Sequence, residues 1–145
     1  MRKIFRISIL FFAALLTIFA VSCKSKLDNM VKINAHIDFT IYPNSIEYQG
    51  LNAVGGWMYL TGSGDSYGII VYRANIDEFM AYDRKPVILN SNCPDNRLNV
   101  EGFYMVDECN DYEYLIINGY NKNGDGTHPY WYFTSFDGTT LRVHN

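Results

Sequence analysis

Among the side chains of this chain that could do chemistry, the three cysteines Cys23, Cys93 and Cys109 come first. Cys93 and Cys109 stand sixteen positions apart, and that pair is open to three states: two free thiols, a metal pair or a disulfide. The histidines His36, His128 and His144 are scattered, and no two stand at ligand spacing. Adjacent carboxylates occur at Asp77-Glu78 and Asp107-Glu108. Neighbours along a strand point to opposite faces, so neither pair is placed for joint acid–base work. Asn121-Lys122-Asn123-Gly124-Asp125-Gly126 carries oxygen side chains at alternate positions, as calcium loops do. No bidentate Glu follows at the right distance, and a plain hairpin loop is expected. Trp57, Tyr130, Trp131 and Tyr132 could line a ligand face, although alternate aromatics in strands divide between core and surface.

The first residues read as an address. Arg2, Lys3 and Arg6 form a basic start, and Ile7 to Val21 is an apolar run interrupted by Ser8 and Thr17. Small residues, Ala20-Val21-Ser22, precede Cys23, which is the layout of a secretory signal. The run is shorter than the ~20 residues of a spanning helix. An uncleaved anchor and a plain signal peptide are the other readings. Phe19-Ala20-Val21-Ser22-Cys23 resembles the lipobox of bacterial lipoproteins, with Ala20 where a Leu is common. The resemblance implies a signal peptide over 1–22, acylation of Cys23 and a polar tether over 23–32. Two or more acyl chains hold a protein stably on a bilayer, where a single chain binds marginally. The expected location is the bacterial cell envelope, lipid-anchored. The tether lacks the acidic run that some lipoproteins use for surface export, which favours the periplasmic side.

Residues 1–22 hold three of the twelve basic residues and none of the fifteen acidic ones. The rest therefore carries nine Lys and Arg against fifteen Asp and Glu, a net charge of −6. Such a surface repels phosphate backbones, so nucleic acid is not an expected partner. About 120 residues make one domain with a single core. Abundant Tyr and Phe, and no long helical pattern after Cys23, favour an all-β fold.

The strands that must position any site are short. Alternation predicts one over Ala35–Tyr42, a turn at Pro43-Asn44-Ser45, and a resumed strand over Ile46–Tyr48. Trp57–Leu60 lies between Gly55-Gly56 and a Gly/Ser-rich connection, and Tyr67–Arg73 is the most apolar candidate, expected to be central. A turn at Asn75–Glu78 leads to Phe79–Asp83. Later strands are expected at Phe103–Val106, Tyr112–Ile117, Tyr130–Ser135 and Thr140–His144, with an Asp137-Gly138 hairpin between the last two. Short strands about ten residues apart indicate stacked antiparallel sheets or a small barrel.

Phe79-Met80-Ala81-Tyr82-Asp83-Arg84 and the ending Thr134-Ser135-Phe136-Asp137-Gly138-Thr139-Thr140-Leu141-Arg142-Val143 resemble segments of Rieske-type [2Fe-2S] ferredoxin domains. The resemblance runs from about Ala53 to Asn145. It implies a base of antiparallel strands with a loop-rich subdomain inserted near residues 84–133. Members carry the cluster on two loops, through two Cys on one iron and two His on the other. The respiratory type adds one cysteine per loop, and Cys93 and Cys109 match those extra cysteines. The resemblance therefore implies a Cys93–Cys109 disulfide, which export to an oxidising compartment also favours. Counting from Cys93 puts the first ligand pair on Ile88 and Asn90; counting from Asp83-Arg84 puts it on Pro86 and Ile88. The second pair falls on Asp107 and Asn110. None of the five is Cys or His, so the resemblance is to a degenerate member. His128-Pro129 matches the family's proline loop, with a rigid turn as its role here.

These readings converge on a membrane-tethered, cluster-free binding or structural module around residues 33–145, with no catalytic residues, no metal and no cofactor. The partners expected are the lipid bilayer, through acylated Cys23, and a protein the sequence does not name. Two other classes remain open: an electron carrier or redox subunit that does bind a 2Fe-2S cluster, and a thiol–disulfide module using Cys93 and Cys109.

Overall fold

The computed structural model describes residues 31–145. The expected signal peptide over 1–22, Cys23 and most of the expected tether over 23–32 lie outside the described residues. The chain is all-β, with nine strands: β1 Asp38–Ile41, β2 Trp57–Leu60, β3 Ile69–Arg73, β4 Phe79–Asp83, β5 Asn99–Glu101, β6 Tyr104–Asp107, β7 Tyr112–Leu115, β8 Trp131–Phe136 and β9 Leu141–His144. Six of them form one antiparallel sheet in the order β1-β9-β8-β4-β3-β2, curled into a half-barrel. The other three form a small sheet, β5-β6-β7.

The apolar run at β3 is continuous because both of its faces are covered, and all five residues are buried. Ile69 and Val71 point into the half-barrel with Leu51, Phe79, Leu141 and Val143. Ile70 and Tyr72 point the other way, into a second core with Tyr82, Leu98, Met105 and Tyr114. That second core joins the large sheet to the insert, which runs between the end of β4 at Asp83 and the start of β8 at Trp131 and contains the small sheet. The Asp137-Gly138 turn joins β8 to β9 as its residue types require. Gly138 adopts φ +92°, and the Asp137 carboxylate accepts hydrogen bonds from the Thr139 and Thr140 backbone N–H groups and the Thr140 hydroxyl.

Two expectations are corrected. Ile46–Tyr48 is not a strand. Its neighbourhood is a chain of tight turns, with Ser45 N donating to Tyr42 O, Tyr48 N to Ser45 O and Leu51 N to Tyr48 O, ending in a 3-10 turn at Gln49–Leu51. Ile46 is 90% exposed, so its apolar character reflects no buried face. Conversely, β5 was not expected. Three residues with one strongly apolar member, Val100, give no alternation to read, and the strand exists because β6 pairs with it.

Arg73, at the end of β3, is buried without a carboxylate partner among the described residues. Its guanidinium donates to Leu51 O, Asn52 O, Ile76 O and the Asn44 side chain, and it lies 5.0 Å from the Phe79 ring centroid. One planar fork thus ties the turns before β2 and before β4 to the core. The free edges of the large sheet, β1 and β2, face each other across an open seam of about 400 Å³ lined by Phe39, Ile41, Tyr48, Met58 and Leu60. Ahead of β1, Val31 N–H donates to Val87 O at 2.9 Å.

Candidate functional site

Two segments of the insert, residues 84–98 and 107–111, bring the residues singled out in the sequence together. Cys93 and Cys109 form a disulfide with Cα atoms 6.3 Å apart. Beside it, Asp107 is fully buried at the end of β6. One carboxylate oxygen accepts from the Asn96 amide and from Asn110 N, the other from Asn110 Nδ2 at 2.9 Å. Asn110 Nδ2 also donates to Ile88 O at 3.0 Å, and Asn90 Nδ2 reaches Asn110 Oδ1 at 3.4 Å. Asp111, with φ +56°, turns the chain into β7. Four of the five positions, Ile88, Asn90, Asp107 and Asn110, therefore meet in one amide–carboxylate network across the two segments. Pro86 is buried next to Val87 and takes no part in that network.

The donor chemistry of this cluster is oxygen and amide. Pro86 and Ile88 have no side-chain donor atom, and the Asp107 oxygens are engaged by amide N–H groups. Among the described residues, no group of three or more His, Cys, Asp or Glu is arranged to hold a metal ion. The histidines are placed elsewhere. His128 stacks on Trp131 at 4.4 Å, His144 lies 5.6 Å from Phe133, and His36 precedes β1. In the 121–126 loop the oxygens serve the loop itself: Asn121 Oδ1 accepts from Asn123 N, Asp125 Oδ1 accepts from Thr127 N, and Asn121 Nδ2 donates to the Thr127 hydroxyl. Of the aromatics, Tyr132 is buried and its hydroxyl donates to the buried Asp83 at 2.6 Å, while Trp131 faces solvent. Burial, with that hydrogen bond to Asp83, pushes the Tyr132 phenol well above its ordinary range.

Sequence reasoning missed a cleft of about 370 Å³ at the base of the first segment. Arg84 and Arg97 line it together with Tyr59, Thr61, Ser66 and Tyr67. Arg84 sits 3.8 Å from the Tyr59 ring centroid, and Arg97 lies 5.8 Å from that of Tyr67. The signal available in the sequence was slight: two basic residues bracketing a loop in an otherwise acidic domain. No protein-family model, no curated protein and no solved structure matches this chain.

Proposed function

We propose that the chain is a lipid-anchored, non-catalytic binding module of the bacterial cell envelope, built on a Rieske-like frame that has lost its iron–sulfur ligands. The observation that carries this reading is the Asp107–Asn110–Ile88 network. A Rieske cluster needs two thiolates and two imidazoles, and the residues present do not fit it. Two positions offer no donor, two are amides, and the carboxylate is occupied by hydrogen bonds from Asn96 and Asn110. Hard oxygens of this kind suit magnesium or calcium rather than a sulfide cluster. The two segments are instead held by a disulfide and amide hydrogen bonds, which supports a frame that keeps its shape without iron.

The tether follows from the basic and apolar start of the chain and the small residues before Cys23. Lipid at Cys23 would hold the domain at the bilayer, with the periplasmic side favoured by the lack of an acidic export run. Mass spectrometry of the membrane fraction tests it, with a mature N-terminus at acylated Cys23 as the expected result. An intact Met1 or an unmodified Cys23 overturns the anchor. On the same protein, chelators are expected to leave the melting temperature unchanged, and a chelator-induced drop would contradict the iron-independent frame.

A further inference from the structure

The segment that begins at Arg84 closes on itself at its base. Leu98 N donates to Arg84 O at 2.7 Å and Arg84 Nε donates back to Leu98 O at 3.0 Å, which returns Arg97 to the side of Arg84. Both arginines border the same cleft. The ion pairs among the described residues are Lys85–Asp65, Lys122–Glu113 and Arg142–Asp38, so neither arginine is paired with a carboxylate there. Arg84 is nevertheless held rigidly. Nη2 donates to Asn99 Oδ1 at 2.8 Å, and the guanidinium stacks on Tyr59, whose hydroxyl accepts from Val100 N. Its Nη1 end is not used in these bonds. Lys85 Nζ lies 5.3 Å from the Tyr67 ring, adding a third positive charge nearby, offset by its pairing with Asp65.

Two guanidinium groups at one cleft repel each other, and burial together with the Arg97 charge holds the Arg84 pKa below its usual value. An oxyanion between them would relieve that repulsion and receive charge-assisted hydrogen bonds from a geometry suited to carboxylate or phosphate oxygens. Thr61 and Ser66 also line the cleft, with Ser66 Oγ accepting from Gly68 N at 3.2 Å. Gly68, at φ +109°, keeps the cleft open beside Arg84. A Cβ there would stand 3.4 Å from Arg84 Cδ and 3.3 Å from Leu60 O. Two carboxylates stand nearby, Asp65 paired with Lys85 and buried Asp83, which accepts from Tyr67 N and Lys85 N, so three cations here meet two anions.

We infer that this cleft binds the carboxylate or phosphate group of a small soluble anion, held between Arg84 and Arg97. The inference deepens the binding-module reading and rests on it. The test is isothermal titration of the full chain in non-ionic detergent at low ionic strength, with citrate and inorganic phosphate as probes. Arg97→Gln is compared with Lys122→Gln, a change at an exposed ion pair outside the cleft. The expected result is saturable one-to-one binding of at least one probe, weakened about tenfold or more by Arg97→Gln and unaltered by Lys122→Gln. Stronger citrate binding assigns the cleft to carboxylates, and stronger phosphate binding to phosphoryl groups. Absence of saturable binding for both probes overturns the inference, as does equal weakening by the two variants. Arg97 is exposed, and an unchanged melting temperature verifies that its variant is folded. Iron content measured on the same preparation separates failure of this inference from failure of the cluster-free reading.

Discussion

Reducing the Cys93–Cys109 bond, or replacing Cys93 by Ser, removes the one covalent tie between the two segments of the insert. The bond closes a loop with a sequence separation of 16, and in the chain-entropy model such a closure stabilises by about 3 kcal/mol. The described domain spans residues 31–145. At the usual unfolding entropy per residue, a loss of that size lowers its melting temperature by roughly 12 °C. The hydrogen bonds from Asn110 to Ile88 O and from Asn96 to Asp107 do not depend on the bond, so the fold is expected to persist and loosen locally. Thermal melts with and without reductant measure the loss. Hydrogen exchange is expected to accelerate mainly in residues 84–98 and 107–111, while β3 and β4 keep their protection. A melting temperature indifferent to reductant would refute the entropic reasoning. Two freely alkylated thiols in protein isolated under non-reducing conditions would refute the staple itself.

Three further outcomes follow from particular side chains. Asp107→Asn replaces one acceptor oxygen by an N–H₂ that must face either Asn110 Nδ2 or the pair Asn96 Nδ2 and Asn110 N, and a loss of about 2–3 kcal/mol is expected in urea denaturation. An Asn variant as stable as the parent would mean that the network contributes nothing. Among the described residues the Tyr82 hydroxyl is buried in the second core without a hydrogen-bond partner, so Tyr82→Phe is expected to stabilise by about 1 kcal/mol; a loss of stability would reveal a partner. Hydrogen bonds from Thr140 and Thr139 hold the Asp137 carboxyl down to about 2. Because the folded value lies below the ordinary one, the stabilisation from this turn is present above pH ~4 and is lost as pH falls through about 2. An NMR titration of the Asp137 carboxyl with a midpoint near 3.8, its unperturbed value, would contradict the turn geometry.

The strands that pack on both faces, or alternate cleanly, were legible in the sequence. Ile69–Arg73 reads as interior because the half-barrel core and the insert each claim one of its faces, and Asp137-Gly138 reads as a hairpin because its turn requires those residue types. Ile46 misled because apolar character marks a strand only where a partner strand covers it, and here the backbone bonds are local. Asn99–Glu101 escaped because its pairing is decided by the neighbouring strand. Within the candidate site, the Cys93–Cys109 disulfide was expected, whereas the hydrogen bond from Asn110 to Ile88 O was not, and periodicity gave no sign of either. The arginine cleft was not legible. Tyr59, Tyr67, Arg84 and Arg97 lie on separate segments, and they face one cavity only after Leu98 folds back onto Arg84.

Iron and acid-labile sulfide analysis of the full chain after anaerobic purification tests most directly whether the domain is free of a cluster. Neither iron nor sulfide is expected in stoichiometric amount, and the visible spectrum is expected to be flat. Two irons and two sulfides per chain, with the absorption of a 2Fe-2S centre, would contradict that expectation.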